Sequence, residues 1–337
     1  KLAIVMSTAL AVSGCFCPID KAFVNAETIQ DEDDSYYDDS TDDSYDDSTD
    51  DSYDDSTDDS DNEETTGTKI DDVKLSSSEL QAFVKESDSD ENGYISQSEA
   101  EKITYVSISK KASQSDLTQI IKLYPNISEL MWNAGTLTKL TFPKNNIKRL
   151  NITSKAASQL VISGINQKLN NLSYTAQGSK KYAFNFAKGS AYKKVEDFNL
   201  MGKQINGVKL SNAEVGTLYV TDTSAKKIDA SSDKIINLWV QNNKKLSSFT
   251  VRNCSKLKSV SCAYNALSRL NISGCPKLLS VSCDRNKLTK LDISKYKNLK
   301  SISCGQNKLK KFDISKNKKL ISVYCNDNKL TELNTSK

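Results

Sequence analysis

The chain has 337 residues, with 46 Lys and Arg, 43 Asp and Glu, and no histidine. Lacking histidine, it cannot build Ser-His or Cys-His nucleophilic machinery or a histidine-liganded zinc site. The formal net charge of +3 is the sum of two opposite regions.

Residues 1–26 read as an export leader. "KLAIVMSTALAV" is a basic residue followed by an apolar run too short to span a bilayer. Two cleavage patterns compete. Val24-Asn25-Ala26 suits signal peptidase, whereas Val12-Ser13-Gly14-Cys15 resembles a bacterial lipobox, which would put a lipid anchor on Cys15. No later apolar run reaches the roughly 20 residues of a membrane helix.

Residues 27–68 form an acidic linker. From Asp31 to Glu64 an Asp-Asp-Ser-Tyr/Thr repeat holds 19 of the 43 acidic residues and no Lys or Arg. Such a segment buries too little apolar surface to offset its ordering entropy and should stay extended and disordered. It is read as a solvated spacer, with a weak calcium sponge, a modification tract or a docking strip as sharper alternatives. Outside it, 24 acidic residues face 46 basic ones, a formal +22. That charge favours anionic surfaces such as acidic glycans or cell-wall polymers. No basic stretch is interleaved with stacking aromatics, so nucleic acid is not expected as a partner.

Residues 69–102 contain a calcium-loop pattern. In "DSDENGYISQSE", residues 88–99, alternate positions offer oxygens to one centre: Asp88, Asp90, Asn92, the Tyr94 carbonyl, Ser96 through water, and bidentate Glu99. Gly93 permits the sharp turn and Ile95 points to the packed side. Before it, Ser76 and Glu79 have capping-box spacing, followed by an apolar stripe of Leu80, Phe83 and Val84. The segment resembles the EF-hand and dockerin-type loops of secreted bacterial proteins. A single loop implies weak Ca2+ binding, about 0.1 to 1 mM, and a clamp instead of a switch.

Residues 103–337 are dominated by a repeat, regular from about 195. Leu257, Leu278, Leu299 and Leu320 recur every 21 residues; so do Val260, Val281, Ile302 and Val323; Cys262, Cys283, Cys304 and Cys325; Asn265, Asn286, Asn307 and Asn328; and Leu267, Leu288, Leu309 and Leu330. Weaker copies precede these, one with Ile236, Trp239, Leu246, Phe249 and Val251 as its apolar slots. "LKSVSC" alternates apolar and polar, as does "LTKLDIS", so both sides of each coil should be extended, with no convex helix. The asparagines should satisfy backbone groups where the chain leaves the strand. The text stops at "LTELNTSK", inside a repeat, and so reads as truncated.

The unit L-x-x-V-x-C-x-x-N-x-L-x-x-L-x-I-S resembles a leucine-rich repeat and is most similar to internalin-like and other secreted bacterial leucine-rich repeat proteins. The implied fold is mostly β: a repeat solenoid with a parallel sheet and an extended convex side, capped by a small α-helical EF-hand. For the four repeated cysteines, buried free thiols, disulfides and metal ligation stand as alternatives in that order. Cys254 and Cys275 are the likelier pair to bridge.

No glycine-rich phosphate loop occurs, and the chain reads as non-enzymatic. The resemblance implies a monomeric, secreted or surface-attached binding protein that recognises an extracellular protein or an anionic glycan or wall polymer. Its binding face would carry Ser259, Ser261, Ser280, Ser282, Ser301, Ser303, Ser322 and Tyr324, unless these serines merely solubilise a sheet. Two rivals remain: a targeting arm for a cell-wall or glycan hydrolase whose catalytic domain lies beyond residue 337, and a structural wall component held by charge.

Overall fold

A computed structural model describes residues 3–5, 66–210 and 213–335. The acidic tract and Cys15 lie outside the described residues, as does all of the leader except Ala3–Val5.

The architecture follows from one physical constraint. A 21-residue coil cannot enclose its own apolar side chains, so each coil buries them against its neighbours. Eleven successive coils each give one strand to a single parallel sheet, from Tyr105–Ser107 through Glu129–Gly135, Lys194–Met201 and Asn237–Gln241 to Ser322–Tyr324. A twelfth strand, Ala3–Val5, pairs in parallel with Ser322–Tyr324. The opposite side carries shorter parallel pairings. Its longest run is Tyr182–Asn185, Ile205–Lys209, Lys227–Asp229, Ser248–Arg252 and Asn271–Ser273. The fold is a mostly β solenoid with one long parallel sheet, whose back is extended, not helical.

Register keeps equivalent side chains in line. Val260 pairs with Val281, Val281 with Ile302, and Ile302 with Val323. These valines and isoleucines, together with Leu257, Leu278, Leu299 and Leu267, are essentially inaccessible to solvent. Burying each such side chain is worth about 1.5–3 kcal/mol. A change in one coil is therefore felt mainly in the two beside it.

The exit from each strand is a costly corner, because the chain turns while its backbone groups are buried. It turns through a residue with positive φ: Tyr264 (59°), Arg285 (51°), Gln306 (52°) and Asp327 (52°). For side chains this large such a conformation persists only where neighbouring contacts fix it. The next residue supplies them. Asn286 donates to the carbonyls of Cys262 (2.8 Å) and Cys283 (3.1 Å) and accepts from Leu267 N–H (3.0 Å). Asn307 repeats this one coil later, on Cys283, Cys304 and Leu288. Asn243, earlier in the chain, begins the ladder by accepting from Thr223 N–H.

Two stretches depart from the sequence expectation. The copy read through Ile236 and Trp239 is shifted by one residue. Ile235, Leu238 and Val240 are buried, while Ile236 and Trp239 are half-exposed. Leu238 is in register with Val260, so Trp239 points away from the core. In the irregular stretch 153–194 the coils persist, with aromatic rings in place of aliphatic side chains. Tyr174, Phe184, Phe186, Tyr192 and Phe198 form a buried cluster of edge-on and tilted rings with centroids 4.6 to 6.2 Å apart.

The first coil closes with a helix where later coils place a back strand. Three helices meet at this end: α1 (Ser78–Glu86), α2 (Gln97–Lys102) and α3 (Gln114–Leu123). In α3, Leu117, Ile120 and Ile121 face the core, and Ser113 and Asp116 form a capping box. Ser76 and Glu79 do not cap α1. Its N-cap is Ser77, which accepts from Leu80 N–H. The reason is that both side chains are engaged with the first coil. Ser76 donates N–H and hydroxyl to the buried Asp116 carboxylate, both at 2.6 Å, and Glu79 accepts from Ser109 and Lys110 N–H. Phe83 of α1 meets Tyr124 edge-on at 5.6 Å.

Candidate functional site

The loop between α1 and α2 brings its acidic side chains together. Oxygens of Asp88, Asp90 and Glu99 all lie within 4.8 Å of one another. Calcium binds oxygens at 2.3–2.6 Å, so ligands on opposite sides of one ion are at most about 5 Å apart; the donor set fits. Asp88 accepts from Asn92 N–H (3.2 Å) and Gly93 N–H (2.9 Å), which folds the loop around its carboxylate. Glu91 (φ 58°) and Gly93 (φ 87°) supply the left-handed turns.

Asn92 Oδ1 accepts from Tyr94 N–H and its amide donates to Asp90, so Asn92 holds the loop from within. Ser96 caps α2 through the Glu99 N–H, and Glu99 reaches back to the N–H groups of Ser96 (2.9 Å) and Ser89 (2.6 Å). The Ser96 bond, with further donors from Ser89, lowers the Glu99 pKa to about 2 although burial opposes it. Calcium-type loops commonly pair with a second loop. Here Gly67–Lys69 is the antiparallel neighbour of Tyr94–Ser96, with Thr68 opposite the buried Ile95.

The larger candidate is the outward face of the main sheet. Each strand presents two central outward positions, and register lines them into rows. One row runs Asn199, Tyr219, Trp239, Ser261 and Ser282; the other runs Asp197, Thr217, Asn237, Ser259 and Ser280. Six of the eight residues expected there keep outward access: Ser259, Ser280, Ser282, Ser301 and Ser322 are half-buried and Tyr324 is 37% exposed. Ser261 and Ser303 occupy the same rows but are covered. Gln241 Nε2 donates to Ser261 at 2.5 Å, and Ser303 donates to Asp284, which also accepts from Ser282 and Gly305 N–H.

One residue of this face, Trp239, was hidden by the shifted register. Tyr219 and Trp239 stand side by side on neighbouring strands, with ring planes 11° apart and centroids 6.1 Å apart. Burial, and to a lesser degree Asp197, raises the Tyr219 hydroxyl pKa. The signal that would have placed Trp239 outward is Asn243, which matches Asn265 of the next coil once Leu238 is set against Val260.

The six cysteines among the described residues are buried and unbridged. Cys262, Cys283, Cys304 and Cys325 occupy one inward slot, and burial raises all four thiol pKa values. The Cys254 thiol donates to the Arg252 carbonyl (3.4 Å) and the Cys275 thiol to the Ser273 carbonyl (3.3 Å); interaction between the two thiols raises the pKa of Cys254 and lowers that of Cys275.

No family model and no curated protein matches this chain. Among solved structures, it is similar to an internalin from Listeria monocytogenes strain 4b F2365. The identity is 16% and the TM-score 0.41, over 81% of this chain and 93% of that one.

Proposed function

We propose that the protein is a secreted or surface-attached, non-enzymatic binding protein. Its solenoid recognises an extracellular protein or glycan through the outward face of the main sheet, and a calcium-stabilised cap closes one end. The observation that carries this reading is where apolar side chains meet solvent. Among the described residues, four of the six exposed large hydrophobic side chains lie on that face: Tyr105, Met131, Met201 and Tyr324. Scattered exposed apolar groups are ordinary, but concentration on one surface suggests contact with a partner.

The leader supports export, and among the described residues no helix is long and apolar enough to cross a membrane. Asp88, Asp90, Asn92, Glu99, Ser96 and the Tyr94 carbonyl would hold Ca2+, tying α1 to α2 and so fixing the cap that packs on α3. Ser280→Arg and Ser301→Arg, placed on the face, should abolish binding to an array of extracellular proteins and glycans, while Lys227→Glu on the back leaves it intact. Binding that survives both face substitutions and disappears in 0.5 M salt would support the charge-held wall component instead.

A further inference from the structure

Charge is sorted unevenly over this molecule. The chain outside the acidic tract carries a formal +22. Yet from Leu169–Ala176 to Ser322–Tyr324, Asp197 is the only Lys, Arg, Asp or Glu in the two central outward rows of the main sheet. The remaining side chains there are hydroxyls, amides and three aromatic rings. A face that collected anionic polymers would carry the lysines, and protein-binding hot spots are enriched in arginine as well as aromatics. Over these coils the two rows carry neither cation; the nearest in register is Arg149, one strand before and ion-paired with Glu129.

At its centre the Tyr219 and Trp239 rings lie in nearly parallel planes on adjacent strands, with the next outward residue in the row, Ser261, small. Amide side chains surround them. On the Trp239 strand, Asn237 and Gln241 point outward on either side of the indole, and Asn199 lies next to Tyr219 across the sheet. Aromatic faces accept the C–H face of a sugar ring, and amides pair with its hydroxyls as both donor and acceptor. From this arrangement we infer that the stacked Tyr219–Trp239 pair binds an uncharged polysaccharide, with a pyranose ring against the Trp239 indole on the side of the small Ser261 and the chain continuing over the serine rows. The inference rests on the proposed use of this face and specifies its ligand class.

The test is affinity gel electrophoresis of the full chain in gels containing mannan, hydroxyethyl cellulose or soluble starch, at low salt and in 0.5 M NaCl, with dextran sulfate as the anionic comparison. Tryptophan fluorescence adds a local readout, because the only other tryptophan, Trp132, is buried. Retardation by at least one neutral polymer should persist in high salt, shift the emission, and weaken at least tenfold in Trp239→Ala and Tyr219→Ala. Circular dichroism checks that both variants fold, and Trp239→Phe should retain part of the binding. The inference is overturned by retardation that Trp239→Ala leaves unchanged, by retardation in dextran sulfate alone that salt abolishes, or by no retardation at all. If an extracellular protein binds in a way that Ser280→Arg blocks and no neutral polymer does, the ligand class is wrong while the proposed use of the face stands.

Discussion

Replacing Asn286 by alanine tests the corner of the repeat, where the energetic argument is sharpest. The asparagine makes bonds to Cys262 O, Cys283 O, Asp284 O and Leu267 N–H. The substitution affects these unequally. Cys262 O still accepts from Asn265, and Cys283 O from Asn307, so each carbonyl keeps a partner. Leu267 N–H is buried and loses its acceptor. An orphaned buried donor costs about 1–3 kcal/mol, and each net hydrogen bond forfeited about 0.5–1.5 kcal/mol, so Asn286→Ala should lose about 3 kcal/mol. Asn286→Asp keeps the acceptor but turns a carboxylate oxygen toward backbone carbonyls, and should lose more. Urea denaturation followed by far-ultraviolet circular dichroism measures both, with the exposed Lys287→Ala expected within about 0.5 kcal/mol of the parent. A loss for Asn286→Ala no larger than that of Lys287→Ala would refute the reasoning.

Three further outcomes are expected. Calcium at 10 mM should raise the melting temperature by the equivalent of about 1.4–2.7 kcal/mol for a dissociation constant of roughly 0.1 to 1 mM, and Asp88→Ala should remove the rise; a flat titration of the parent protein contradicts the loop assignment. For Asp116, burial raises the pKa, but hydrogen bonds from Ser76 and Ser113 outweigh it and leave the value lowered. Its contribution to stability is therefore present above the unfolded carboxyl pKa of about 3.9 and fades as pH falls through the lower folded value. The melting temperature should drop more steeply below about pH 4 in the parent than in Asp116→Asn, and equal slopes would count against the tether. Differential alkylation read by mass spectrometry should find Cys262, Cys283 and Cys304 unmodified in the native protein and modified in urea; rapid native labelling of Cys283 would show that the inward slot is open.

The regular coils were legible because one period fixes everything at once: the inward Val and Cys, the Asn at the corner, and the alternation that sends serines outward. An extended back was legible from "LTKLDIS", too short for a helix. Legibility failed where side-chain size, not spacing, carried the pattern. In 153–194 tyrosines and phenylalanines fill the core, so an alignment on leucine finds no copy. At Trp239 a large apolar residue imitated a core slot, although Asn243 marked the true register. Helix α3 was not legible from the repeat despite its Ser113–Asp116 capping spacing, because the later coils that define the period carry an extended segment at the same place. The loop residues Asp88, Asp90 and Glu99 were legible individually. Their convergence follows from the alternate spacing of the loop, whereas the pairing of Gly67–Lys69 with Tyr94–Ser96 depends on contacts that sequence spacing does not encode.

The central claim is that a partner is engaged by the outward face of the main sheet. Hydroxyl-radical footprinting of the full chain tests it most directly, with and without saturating amounts of the polysaccharide or protein that binds it. Protection should fall on Trp239, Tyr219, Met201 and Tyr324 together, while back-side residues such as Tyr182, Leu291 and Leu333 keep their oxidation rates. Protection confined to the back-side residues, with Trp239 and Tyr219 unchanged, would contradict the account.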